Sequence, residues 1–162
     1  MATVEAKPEK AKRAAPVLAR VDEALMKPGK YESTPDATFD ITIHLNRHDK
    51  RWQVVNEPGK GIETETVVMR LWSYDEMIDL RKKSTVYDIV KRSYSVDTDL
   101  LDRLKIQLLL VSWTFHNDNP RLKLHHINGI LTDEAWKAVS RLQANILKYI
   151  IDSMNRVYEY HG

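Results

Sequence analysis

Residues 132–158 read TDEAWKAVSRLQANILKYIIDSMNRVY and decide the fold that the sequence predicts. Thr132 is a typical N-cap residue, and Asp133 and Glu134 place negative charge in the first turn, where the helix dipole favours it. No proline or glycine interrupts the run as far as Tyr158. Two adjoining apolar stripes at helical spacing give the run a wide apolar face. The sequence therefore predicts one long amphipathic helix here.

The segment before it predicts a buried helix over residues 98–115, capped by Asp97. Its first half is amphipathic, and its second half is apolar nearly all round, which is typical of a helix buried in the domain or against a partner. Two further helices are predicted upstream, one after the Ser73–Glu76 capping box and one over residues 86–94.

Residues 37–72 predict β structure. Phe39, Ile41, Ile43 and Leu45 alternate with polar residues, the period-2 pattern of a half-buried strand. Two more extended stretches follow, separated by the polar residues before Arg51 and by a Pro-Gly turn. The expected product is an antiparallel sheet of two or three strands, which needs a helix against its apolar face.

The predicted fold class is α+β, mainly α: a small N-terminal antiparallel β-sheet, then a four-helix bundle-like domain with a long C-terminal helix. Residues 1–36 are predicted to be a flexible arm, because four prolines interrupt a stretch too poor in apolar residues to offset its ordering entropy. A disordered tail and an arm that orders on a partner both remain open. Residues 37–162 are predicted to form one domain, with β structure over 37–72 and helices over 73–162.

Composition narrows the function classes. The chain has 162 residues, a formal net charge of +2 and no cysteine, so disulfides, thiolate metal sites and a cysteine nucleophile are excluded. No continuous apolar run reaches the roughly 18 residues of a membrane span. The N-terminal stretch lacks the apolar segment of a secretory signal, so a cytoplasmic location is expected.

Catalytic patterns are not apparent in the sequence. The six histidines lack the spacing of a metal-ligand set, and a strand rather than a helix follows the glycines near Lys60. Ser112 lies in an apolar run rather than on a nucleophile elbow. We therefore predict no enzymatic activity, no catalytic residue, no metal and no cofactor.

One basic cluster, Arg81–Lys83 with Lys91 and Arg92, has Tyr87 and Tyr94 between and beside its cations. That mixture occurs in single-stranded nucleic-acid binding. A solvated helical face is the simpler interpretation, because nearby aspartates offset the charge and the chain as a whole is almost neutral. Nucleic-acid binding is therefore not the favoured function.

Protein binding is the favoured hypothesis, since the two apolar helical faces need a partner or another copy of the chain to cover them. The sequence assigns partner binding to seven side chains on these helices: Leu109, Trp113, Trp136, Leu147, Ile151, Met154 and Tyr158.

Three elements, spread over roughly residues 40–158, resemble the small tail assembly chaperones of long-tailed bacteriophages. The first is a Pro-Gly turn at Glu57–Gly59, a strand through Arg70 to Trp72 and a capped helix from Ser73. The second is an apolar helix that breaks over residues 111–120, and the third is the final helix through Asn155–Tyr158.

The resemblance implies a non-enzymatic protein that binds the tape-measure protein during tail assembly and helps to recruit tail-tube subunits. It implies a location in the cytoplasm of the infected bacterial host, and such chaperones often have a longer form made by ribosomal frameshifting. The N-terminal arm and the strand over residues 39–45 are not part of the family pattern. They leave open the alternative of a structural subunit of a phage tail or baseplate, incorporated in the virion.

Overall fold

A computed structural model describes Tyr31, Thr34 and residues 36–161. The chain divides into two units, residues 1–34 and residues 35–162, and the helices and strands named below lie in the second. The predicted flexible arm lies almost wholly outside the described residues.

The secondary structure alternates between strands and helices along the chain. In chain order it consists of β1 (Thr38–His48), β2 (Arg51–Val55), β3 (Ile62–Arg70), α1 (Tyr74–Ser84), β4 (Thr85–Asp88), β5 (Ser93–Val96), α2 (Thr98–Leu109), β6 (Leu110–Trp113), β7 (His126–Ile127), β8 (Ile130–Leu131), α3 (Asp133–Val139) and α4 (Ala144–His161). Two short 3-10 turns, Phe115–Asn117 and Pro120–Leu122, join β6 to β7.

The main sheet has four antiparallel strands in the order β2-β1-β3-β6. Ile41, Ile43 and Leu45 of β1 are buried, as their alternation with polar residues predicts. Asp49 lies in the turn between β1 and β2 with φ 59°, a conformation that Asp tolerates better than most residues. The first three strands are therefore confirmed, and β6 is a fourth that the sequence did not predict.

The prediction of a mainly α fold is wrong. Over the residues that the structure describes, the protein is a mixed α/β fold, 40% helical and 33% strand, with a four-stranded sheet and two small two-stranded sheets. Residues 86–94, predicted to be helical, lie in the β4–β5 hairpin. The predicted helix over 98–115 ends at Leu109, and Leu110–Trp113 leaves it to pair with β3.

Both errors have the same physical origin. Short apolar runs do not distinguish helix from strand by periodicity alone. The segments in question are rich in valine, tyrosine and tryptophan, which fit a pleated surface well. In addition, β3 would otherwise be an edge of the sheet, and pairing with Leu110–Trp113 satisfies backbone groups that would remain open there.

The predicted continuous C-terminal helix is also wrong, because it is two helices, α3 and α4. Thr132 does cap α3, accepting a hydrogen bond from the Ala135 N–H at 3.1 Å. Between the helices, Gln143 Oε1 accepts a hydrogen bond from the Trp52 N–H at 3.1 Å. In the first turn of α4, Asn145 Nδ2 donates to the Trp52 carbonyl at 2.6 Å. The break therefore places two amide side chains against the edge strand β2, where they cover its backbone groups.

The core lies where one face of the main sheet meets α2, α3 and α4. One continuous cluster of buried side chains joins these elements, and α4 contributes Ile146, Ile150 and Met154 to it. The apolar stripe of α4 is thus used largely within the chain.

Candidate protein-binding surface

The seven side chains assigned to partner binding are distributed unevenly between core and surface. Leu109 and Met154 are 0% exposed and Trp113 is 3% exposed. The Trp113 indole donates a hydrogen bond to the Leu122 carbonyl at 2.7 Å, which fixes its ring within the core. These three side chains contribute to the core and not to an accessible surface.

The other four are less buried or lie outside the described side chains. Trp136, Leu147 and Ile151 are half-buried and pack against the core cluster. The Arg103 guanidinium lies 5.6 Å from the Trp136 ring centroid, so one face of that ring is already covered. The side chain of Tyr158 is not described. Partner binding through these four residues stays a prediction.

The most exposed apolar surface among the described residues is the β4–β5 hairpin, residues 85–96, called here the hairpin. Isolated exposed apolar residues are ordinary, but a concentration of them marks an interaction surface. Ile89 and Val90, in the turn, are 80% and 92% exposed. The exposed large apolar side chains of the hairpin are Val86, Tyr87, Ile89, Val90, Tyr94 and Val96.

Strand register places part of this surface on one face. Tyr87 pairs with Tyr94, and Thr85 pairs with Val96, so these four side chains point to the same side of the hairpin. The two tyrosine rings lie 5.0 Å apart, centroid to centroid, and are tilted by 58°. They form a contiguous aromatic surface that remains largely open to solvent.

The turn is organised by one carboxylate. Asp88 Oδ1 accepts hydrogen bonds from the N–H groups of Val90 at 2.9 Å and Lys91 at 3.2 Å. Arg92 has φ 51°, which closes the turn. Because the backbone is held in this way, Ile89 and Val90 project from the tip instead of folding back.

The base of the hairpin is fixed between α1 and α2. Ser84 is buried, and its hydroxyl donates to the Leu80 carbonyl at 2.8 Å. The Asp97 N–H donates to the Ser84 carbonyl at 2.8 Å, while the Asp97 carboxylate caps α2 through the Leu100 N–H. Beyond this base the two strands pack chiefly against each other. A two-stranded ribbon of this kind is only marginally stable alone, so a bound partner would stabilise it.

Positive charge accompanies the apolar surface. Residues 81–96 contain five basic side chains, Arg81, Lys82, Lys83, Lys91 and Arg92, and one acidic side chain, Asp88. Their net charge of +4 exceeds the +2 of the whole chain. Lys83 pairs with Asp79 at 2.9 Å, but both side chains are exposed and such a pair contributes little. The hairpin is therefore an apolar surface with a cationic border.

A groove lies between α1, α2 and the β7–β8 hairpin, and is called here the α1–α2 groove. It consists of two adjoining cavities of about 500 and 260 Å³, which share Glu76, Leu108 and Ile130. Glu76 accepts two hydrogen bonds from the Arg70 guanidinium, at 2.6 and 3.1 Å. It also completes the predicted capping box with Ser73. The hydrogen bonds from Arg70, opposed in part by burial, hold the pKa of Glu76 below its ordinary value.

Asp133 lies at the other end of this groove. It accepts hydrogen bonds from Gln107 Nε2 at 3.0 Å and from Arg103 at 3.2 Å. The Gln107 amide, and then the charge of Arg103, lower the pKa of this carboxyl. Each of the acidic side chains that line the groove therefore has a cationic partner within the chain. The three pairs are Glu76–Arg70, Asp79–Lys83 and Asp133–Arg103.

Within residues 36–161 and the two described positions before them, no set of three or more His, Asp or Glu side chains is arranged to hold a metal ion. In the same part of the chain, no helix has the length and apolar character needed to cross a membrane.

Comparison with known proteins adds no relative: no family model, no curated protein and no solved structure matches the chain. The functional interpretation therefore rests on the geometry of the described residues, and above all on the hairpin.

Sequence reasoning noticed the residues of the hairpin but not their arrangement. From the sequence alone, Tyr87, Tyr94 and the cations form a basic aromatic cluster on predicted helices. The alternation in Ser93-Tyr94-Ser95-Val96 is a period-2 signal that could have identified β5. With the two strands in register, Tyr87, Tyr94 and Val96 lie on one exposed face, and the cations lie at its border.

Proposed function

We propose that the chain is a non-enzymatic binding protein of the phage tail assembly chaperone type. In this role it holds an apolar segment of the tape-measure protein, and recruits tail-tube subunits, in the cytoplasm of the infected host while the tail is built. The observation that carries the proposal is the hairpin, which exposes six large apolar side chains on a fixed base. A surface of this kind supports transient binding of an apolar client.

The energetics favour reversible binding. Full burial of each large apolar side chain contributes on the order of 1.5 to 3 kcal/mol before ordering costs. Immobilising side chains and ordering the client consume much of that gain. Ile89 and Val90, being the most exposed, have the most surface to bury. The hairpin is small enough to hold a client during assembly and release it afterwards.

The β3–α1 element also supports the proposal, because it retains the strand, Arg70 and capped helix on which the resemblance rests. The other two resembling elements take different forms, since the apolar helix continues into β6 and the final helix divides at residues 140–143. The resemblance therefore rests mainly on β3 and α1.

The test is co-expression with the tape-measure protein of the same genome, followed by affinity purification of the tagged chain. We expect the tape-measure protein to co-purify, and the Ile89→Ser, Val90→Ser double variant to lose it. Ile127→Ser is the matched control, because Ile127 is 66% exposed but lies outside the hairpin. Absence of co-purification, or equal loss with the control variant, would contradict the proposal.

The virion-subunit alternative gives a different result in a second measurement. A chaperone leaves the particle once assembly is complete, so mass spectrometry of purified virions should not find the chain. Stoichiometric presence in those particles would contradict a chaperone role and support a tail or baseplate subunit.

A further inference from the structure

We infer that the hairpin binds an amphipathic helix whose polar face is acidic. This inference rests on the proposed function, because it names the chemistry of the client segment held by the same surface. It follows from the shape of the hairpin and from its charge. It also follows from the ion pairs that the acidic side chains of the α1–α2 groove already form within the chain.

The shape of the hairpin fits one helix. Two paired strands lie about 4.8 Å apart, so with side chains the ribbon is about 10 Å wide, close to the 10–12 Å diameter of a helix. Four residue pairs join β4 and β5. At about 3.3 Å per residue, this length with the turn matches roughly three turns of helix. A helix laid along the Tyr87–Tyr94 face would also reach Ile89 and Val90.

The charge of the hairpin indicates that the polar face of that helix is acidic. Lys91 and Arg92 stand beside the apolar tip, and Arg81 and Lys82 stand at its base. The one carboxylate of the segment, Asp88, points to the backbone of the turn. Glutamate and aspartate flanking the apolar stripe of a client would meet these cations, whereas lysine and arginine would be repelled.

The acidic side chains of the α1–α2 groove do not supply this complement in a second copy of the chain. Glu76, Asp79 and Asp133 each have a cation of the same chain within 3.2 Å. Binding of another molecule's cations would therefore have to compete with these existing pairs. A partner with carboxylates of its own is the better match.

Lipid and nucleic acid fit the hairpin less well. A membrane-inserting loop needs its apolar side chains only at the tip, whereas here they continue down the Tyr87–Tyr94 face. Single-stranded nucleic acid uses open aromatic faces for stacking, but these two rings lie against each other, and the aliphatic tip offers no stacking partner.

The inference is tested by fluorescence anisotropy of the full chain with two labelled synthetic helices. Both carry the same leucine stripe, and their polar faces are rich in glutamate or in lysine. Four exposed cations, Arg81, Lys82, Lys91 and Arg92, at a few tenths of a kcal/mol each predict that the glutamate-rich helix binds about tenfold more tightly at low salt. This preference should shrink as salt is added, because exposed charges are screened.

Two variants separate the apolar and the charged contributions. Ile89→Ser with Val90→Ser should weaken binding of both helices. Lys91→Glu with Arg92→Glu should reduce or reverse the preference for the glutamate-rich helix. The matched control, Lys123→Glu with Lys148→Glu, makes the same change of charge at exposed positions outside the hairpin and should retain the preference. Circular dichroism of each variant checks that it folds. The salt series uses the unmodified chain, so it tests the inference even if a variant does not fold.

Several results would overturn the inference. Equal affinity for both helices would contradict it, and binding that the hairpin variants leave unchanged would contradict it as well. Tighter binding to anionic vesicles or to oligothymidylate would also contradict it. The same is true of self-association, measured by light scattering, that Ile89→Ser with Val90→Ser abolishes. If the tape-measure protein co-purifies through the hairpin but the two helices bind equally, the proposed function stands and this inference fails. If the glutamate-rich helix binds preferentially but the tape-measure protein does not co-purify, the preference for an acidic helix stands and the proposed function fails.

Discussion

Met154→Ala tests whether the apolar stripe of α4 belongs to the core or to a partner-binding surface. The Met154 side chain is 0% exposed and lies in the main core cluster. Alanine removes three heavy atoms, worth about 0.8 kcal/mol each as buried methylenes, or roughly 2.4 kcal/mol of transfer free energy. The cavity left behind adds to this, so the free energy of unfolding should fall by about 3 to 4 kcal/mol.

The assay is urea unfolding followed by tryptophan fluorescence, since Trp113 lies in the same core. Ile89→Ala is the control, because its exposed side chain should change the unfolding free energy by less than about 0.5 kcal/mol. At roughly 3 to 4 °C per kcal/mol, Met154→Ala should also lower Tm by about 9 to 16 °C. A loss below about 1 kcal/mol for Met154→Ala, no larger than that of the control, would refute the burial of this stripe. The helix face would then be free for a partner, as the sequence alone predicts.

Two further substitutions test local geometry. Glu76→Gln keeps a capping side chain but removes the charge paired with Arg70, and should cost about 1 to 2 kcal/mol at neutral pH in urea unfolding. Since the folded-state pKa of Glu76 is lowered, the charge stabilises the fold above the unfolded-state pKa, and this contribution is lost as pH falls through the folded-state pKa. A difference that persists unchanged in acid would contradict the ion pair. Gln143→Ala should cost about 1 kcal/mol and speed hydrogen exchange at the Trp52 amide, whereas Gln53→Ala should leave that amide unchanged.

The sequence predicts well where a signal is local. The alternation of Ile41, Ile43 and Leu45 predicts β1, because one face of that strand is buried and the other is not. The capping box at Ser73 and Glu76 predicts the start of α1, since both partners lie within one turn. These features need no information about the rest of the chain.

Other features depend on tertiary structure that a local pattern does not contain. Leu110–Trp113 becomes a strand because β3 offers it an edge to pair with. The C-terminal run divides because Gln143 and Asn145 bond to a strand roughly 90 residues away in sequence. Helical propensity is a weak preference beside such contacts.

The candidate site also depends on tertiary structure that the sequence pattern does not contain. A wide apolar face on the C-terminal helices predicts partner binding. Ile146, Ile150 and Met154 of that face lie in the core, whereas partner binding through its half-buried side chains stays a prediction. Among the described residues the most exposed apolar surface is the hairpin, whose sequence fits a helical pattern because Val86, Ile89 and Val90 are spaced three and four apart. Exposure, which distinguishes a binding surface from a core, becomes visible only once the chain is folded.

Hydrogen–deuterium exchange of the full chain, with and without the tape-measure protein, tests most directly the central claim that the hairpin is the client-binding surface. The hairpin amides should exchange quickly in the free chain, because its strands are supported chiefly by each other. With the client bound, the account predicts strong new protection confined mainly to residues 85–96. Protection concentrated on α4, or no change at residues 85–96 while the client is bound, would contradict it.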